Sequence, residues 1–68
     1  MANFRNHDTV YWNSPQGITY GEIIQKVVRT GNFHGLNITA SRNDPSYVVK
    51  SARSGELAAY RPDDLGKA

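Results

Sequence analysis

The chain of 68 residues has no cysteine, a single methionine, a single tryptophan and three prolines. Without cysteine, neither a disulfide framework nor a thiolate metal site can reinforce so small a core, and a reducing interior is the natural setting. Long apolar runs are missing too. No segment approaches the roughly 20 apolar residues that cross a bilayer as a helix, and the N-terminal stretch offers no run of the kind a secretory leader uses. The expectation is a cytoplasmic protein with no membrane partner. His7 and His34 share no metal-ligand spacing. No serine sits in a nucleophile-elbow sequence. Glu22, Glu56, Asp63 and Asp64 fall in polar turns or beside basic residues, which reads as surface and not as an acid/base pair. Neither catalysis nor a cofactor or metal is expected.

A charge excess of one sign is also lacking. Eight basic and six acidic residues give a net charge of +2, and the signs are interspersed except at Asp63-Asp64. An isoelectric point of about 9.2 permits contact with nucleic acid. A committed binder, however, clusters its bases on one face with aromatics between them. The length itself predicts one domain, residues 1–68 with an ordered core at about 8–65. A domain this small buries only about 60% of the surface its unfolded chain exposes.

What is present is a succession of short strands and turns. Thr9-Val10-Tyr11-Trp12 is β-branched and aromatic, with Val10 and Trp12 on one face and Tyr11 on the other. Asn13-Ser14-Pro15-Gln16-Gly17 supplies a hairpin loop. Residues 18–30 read two ways. Ile23, Ile24, Val27 and Val28 have helical spacing, Thr19 and Glu22 imitate a capping box, and Gly31 could end the helix. Yet all four apolar residues are β-branched and Gly21 would sit in the first turn. A long bent strand gives the same pattern if Gly21 or a bulge near Gln25-Lys26 switches the inward face.

Asn32-Phe33-His34-Gly35 is rich in turn formers, and Leu36-Asn37-Ile38-Thr39-Ala40 then alternates, with Leu36, Ile38 and Ala40 inward. Asp44-Pro45 breaks that strand and places Asp44 as an acceptor in an Asx-type turn. Tyr47, Val49 and Ser51 form one face of the next strand, and Val48, Lys50 and Ala52 form the other. Ser54-Gly55 reads as a two-residue turn, residues 57–60 return, and Pro62-Asp63-Asp64-Leu65 suggests one helical or 3₁₀ turn with Leu65 plugging an end.

These residues carry a resemblance. Trp12, Gly21, Ala40-Ser41, Asp44-Pro45, Tyr47, Val49, Ser51, Ser54-Gly55, Ala58-Ala59, Pro62 and Leu65 resemble the small Tudor-like domain family of hypervirulence-associated proteins. The likeness runs from Asp8 to Leu65 and is most specific over residues 40–59. It implies an all-β fold, a five-stranded SH3-like barrel with a short C-terminal helical turn, and it turns residues 18–30 into a long curved strand. Where the family pattern has His, this chain has Tyr60. The resemblance implies no catalytic activity, and a fold by itself does not fix a function.

Small barrels of this kind bind peptides or nucleic acids, and some hold a methylated side chain in an aromatic cage by cation–π attraction. Trp12 and Tyr47, on inward faces, read as core. The exposed candidates for a binding patch are Tyr11, Tyr20 and Tyr60, with Asp44 as a charged wall if the turn leaves it free. The leading expectation is a non-enzymatic interaction module for a protein or peptide, docked through that patch or a barrel edge. The alternative is a nucleic-acid binder using Lys26, Arg29, Arg42, Lys50, Arg53 and Arg61, whose affinity would fall steeply with salt. A third reading is a small oligomer whose walls enclose a shared pocket. The turn chemistry gives a first test: Gly55→Val should cost about 1 kcal/mol or more if Gly55 takes positive φ. Unchanged thermal unfolding would argue against the hairpin.

Overall fold

The computed structural model describes residues 4–68, so the first three residues of the expected domain lie outside the described residues. Seven strands form: β1 (Thr9–Ser14), β2 (Gly17–Val27), β3 (Gly31–Phe33), β4 (Leu36–Ile38), β5 (Ser46–Ser51), β6 (Leu57–Tyr60) and β7 (Gly66–Lys67). A 3₁₀ turn at Pro62–Asp64 stands between the last two. The fold is all-β, and residues 18–30 are extended up to Val27, as the resemblance implied. No helix among the described residues is long and apolar enough to cross a membrane.

The main sheet has the order β6-β5-β2-β1-β7, with β3 and β4 as a separate hairpin. Its hydrogen-bonded pairs are antiparallel. This is the curved sheet of a small Tudor-like barrel, with one correction: the ladder does not close, because β6 and β7 remain unpaired edges. β2 is the element that bends it. It pairs with β1 from Thr9↔Glu22 to Ser14↔Gly17, and with β5 on its other edge from Gly21↔Ser51 to Val27↔Ser46. On the β5 side the register jumps from Ile23↔Val49 to Gln25↔Val48, leaving Ile24 as the extra residue of a bulge.

That single residue reverses which side of β2 faces which core. Ile23 joins Phe4, Val10, Trp12, Tyr47, Val49 and Leu65 in one buried cluster, while Val27 joins Ile38 and Val48 in a second. An unbroken strand would place residues 23 and 27 on the same face. Both faces of β5 are consequently covered, and Ser46, Tyr47, Val48 and Val49 are all buried. The β3–β4 hairpin covers the second cluster, where Phe33, Leu36 and Ala40 pack against it. The bulge anticipated near Gln25-Lys26 lies one position earlier, and the helical spacing of Ile23, Ile24 and Val27 is its imprint on the sequence.

Several turns differ from the sequence reading. Asn13 and Ser14 belong to β1, so the first hairpin turns on Pro15-Gln16 alone, with the Ser14 hydroxyl donating to the Gly17 carbonyl at 2.8 Å. Asn32 and Phe33 belong to β3, and the turn is His34-Gly35, with φ of 54° and 81°. Positive φ at both positions matches the twist of a two-residue hairpin. The β5–β6 connection is a four-residue loop over 52–55, because Lys50 pairs with Leu57 and Ser51 N–H donates to the Glu56 carbonyl. Gly55 does take positive φ, at 75°.

Gly21 has a packing reason. It lies opposite Val10 on β1 and Ser51 on β5, and a Cβ there would run into the Lys50 carbonyl and the six-membered ring of Trp12. The indole therefore lies directly on the β2 backbone. Gly21→Ala should destabilise by about 1–3 kcal/mol through overpacking. At about 4–8 °C per kcal/mol for a domain of this size, that is a large drop in Tm. Unchanged melting, with the near-ultraviolet dichroism of Trp12 preserved, would show that the ring does not rest there.

Candidate interaction site

Strand alternation sets Tyr11 and Tyr20 side by side on the outer face. They are direct cross-strand partners, with ring centroids 6.1 Å apart at an interplanar angle of 53°. Tyr20 is 54% exposed and Ile18, two residues earlier on the same face, 53%. Tyr11 is held from the other side by β7, since a Cβ at Gly66 would fall on the Tyr11 ring. Beside them a hollow of about 290 Å³ is lined by Ile18, Thr19, Tyr20, Ala52 and Arg53. Large apolar side chains at the surface concentrate here, Val28 being elsewhere on the chain.

The inner face carries a second aromatic pair. Trp12 and Tyr60 lie with centroids 5.3 Å apart and planes 32° from parallel. Trp12 is core, as expected, while Tyr60, opposite Tyr47 in the β5–β6 register, is half-buried. A cleft of about 430 Å³ opens between the β1–β2 and β5–β6 hairpins, with Trp12, Thr19, Ser51, Arg53, Glu56 and Tyr60 among its walls. On the other side of the same aromatic pair, Asp63 and Asp64 line a hollow of about 330 Å³ with Trp12, Asn13 and Tyr60.

The four residues singled out for binding thus do not form one patch. Tyr11 and Tyr20 come together, and Tyr60 sits on the opposite face of the sheet against Trp12. Asp44 forms an ion pair with Arg61, both side chains being substantially exposed. The turn role expected of the Asp44 carboxylate is taken by Ser41, whose hydroxyl accepts the Asp44 N–H at 3.1 Å. Sequence reasoning missed Ile18, whose strand face emerges only once the hairpin register is known. It also passed over Asp63 and Asp64 as neighbours of the aromatic pair.

The basic residues are dispersed. Arg61 is engaged by Asp44, Lys50 stands directly across from Glu22, and Arg29 lies over the Phe33 ring at 5.9 Å from its centroid. Lys26 is on β2, while Arg42 and Arg53 belong to two different loops. Among the described residues no group of three or more His, Cys, Asp or Glu is placed to hold a metal ion.

An open, strongly bent antiparallel sheet with a terminal 3₁₀ turn and surface aromatics defines the class of small Tudor-like domains, which are binding modules. The family model described as "Hypervirulence associated proteins TUDOR domain" matches residues 8–65, and the chain belongs to that family. Neither the curated proteins nor the solved structures contain a significant match.

Proposed function

We propose that this domain is a non-enzymatic interaction module that binds a protein or peptide through the outer face of β1 and β2, with Tyr11, Tyr20 and Ile18 as the contact. The supporting observation is the pairing of two exposed tyrosines beside an exposed isoleucine on a rigid strand scaffold. Aromatic side chains on such a platform give large contact area for little lost conformational freedom. An apolar surface of this kind, edged by Arg53 and Glu22, has the layout of a docking patch. The cysteine-free composition is compatible with work in the cytoplasm.

The nucleic-acid alternative is less well supported, because half of the bases it would use already face a carboxylate or an aromatic ring. The two readings separate by salt. With the full chain as bait, the docking reading expects a partner retained at both low and high salt and lost when Tyr20→Ala removes half of the tyrosine pair. Capture that collapses with salt and survives Tyr20→Ala would refute it in favour of phosphate contacts.

A further inference from the structure

β6 is an edge of the sheet, and the alternation of the β5–β6 ladder fixes where its backbone points. Ser51 N–H donates to the Glu56 carbonyl at 2.9 Å, so Val49–Ala58 and Tyr47–Tyr60 are the hydrogen-bonded pairs that follow. The N–H and C=O groups of Leu57 and Ala59 therefore point away from β5. Among the described residues no hydrogen bond reaches them. Natural edges are commonly blunted by a charge, a proline or a bulge. Leu57-Ala58-Ala59-Tyr60 has none of these; β4 approaches the strand and the Leu57 side chain joins the second cluster, while Ala59 is exposed.

The same edge borders the 430 Å³ cleft, which Leu57, Ala58 and Tyr60 line together with Trp12. Charge is mixed in that cleft, where Arg53 stands with Glu56, and acidic in the hollow on the other side of the Trp12–Tyr60 pair. Glu56 precedes β6, and Asp63 and Asp64 stand beside the Trp12–Tyr60 pair. The ion pairs among the described residues use Glu22, Asp44 and Asp8, and Asp63 and Asp64 take part in none of them. An aromatic face next to unpartnered carboxylates favours a cation.

We propose that β6 accepts an added strand, an extended segment of a partner protein that carries a lysine or arginine. Its backbone pairs with Leu57 and Ala59, and its basic side chain lies against Tyr60 between Asp63 and Asp64. This site is separate from the Tyr11–Tyr20 face, and the two proposals stand or fall independently.

The test is a ¹⁵N nuclear magnetic resonance titration of the full chain with two pools of short acetylated peptides of mixed Thr, Val, Ser and Ile. One pool has arginine fixed at its centre and the other glutamate. The arginine pool should shift the Leu57 and Ala59 amides and slow their hydrogen exchange, with the glutamate pool about tenfold weaker or more. Ala59→Pro removes only an outward donor at an edge position, where proline is tolerated, and should abolish the response. Asp63→Asn with Asp64→Asn, which leaves the backbone ladder untouched, should weaken the arginine pool about threefold or more. Silent Leu57 and Ala59 amides, equal response to both pools, or undiminished binding by both variants would overturn the proposal. A response confined to Tyr11 and Tyr20 would overturn it while favouring the outer face.

Discussion

The structure depends on the extra residue that β2 carries at Ile24. A strand can bury one row of alternate side chains against one core, and this chain has two cores on opposite sides of the sheet. The bulge converts Ile23 and Val27 from same-face into opposite-face residues, so a single strand closes both clusters. It also adds local bend and twist to a strand that pairs with β1 over residues 17–22 and with β5 over residues 21–27. With few residues and no cross-link, covering both faces of β5 is how the chain gathers enough buried surface to fold.

The same geometry distributes the aromatics. Trp12 lies on the β2 backbone because Gly21 has no side chain, and Tyr60 packs against the indole from β6 with its ring tilted 32°. Phe4 completes that core by meeting the Tyr47 ring edge-on, at 5.3 Å and 90°. Tyr11 and Tyr20, one step out of phase with Trp12 and Gly21, are left on the solvent side. The outer tyrosine pair and the inner cleft are therefore consequences of one register, and each presents different chemistry. The outer face is apolar with a phenol at either side, whereas the cleft combines aromatic rings, hydroxyls, one carboxylate and one guanidinium with an unpaired strand edge.

Local alternation was readable wherever one face of a strand is buried. Val10 and Trp12 in with Tyr11 out, and Leu36, Ile38 and Ala40 turned to one cluster, follow directly from period two. The Ile18 to Val28 stretch was not readable from its residues. A bulge that shifts the inward face by one position mimics helical spacing, and the family resemblance was needed to choose the strand. Asp44 was misjudged because its partner, Arg61, is 17 residues away, and no local rule announces that pairing. Phe4 and the Asp63-Asp64 pair likewise gain their places only through tertiary packing. Loop lengths slipped where the turn formers outnumbered the turn, as in Asn32-Phe33, since composition marks a turn's neighbourhood more reliably than its two central residues.

The bulge can be tested most directly by nuclear Overhauser contacts between side-chain methyls in the folded chain. The account expects the Ile23 methyls to touch Trp12 and the Val27 methyls to touch Ile38, with no cross-contact between the two sets. Val27 in contact with Trp12, or sequential amide contacts of a helix running through Ile23, Ile24 and Val27, would contradict it.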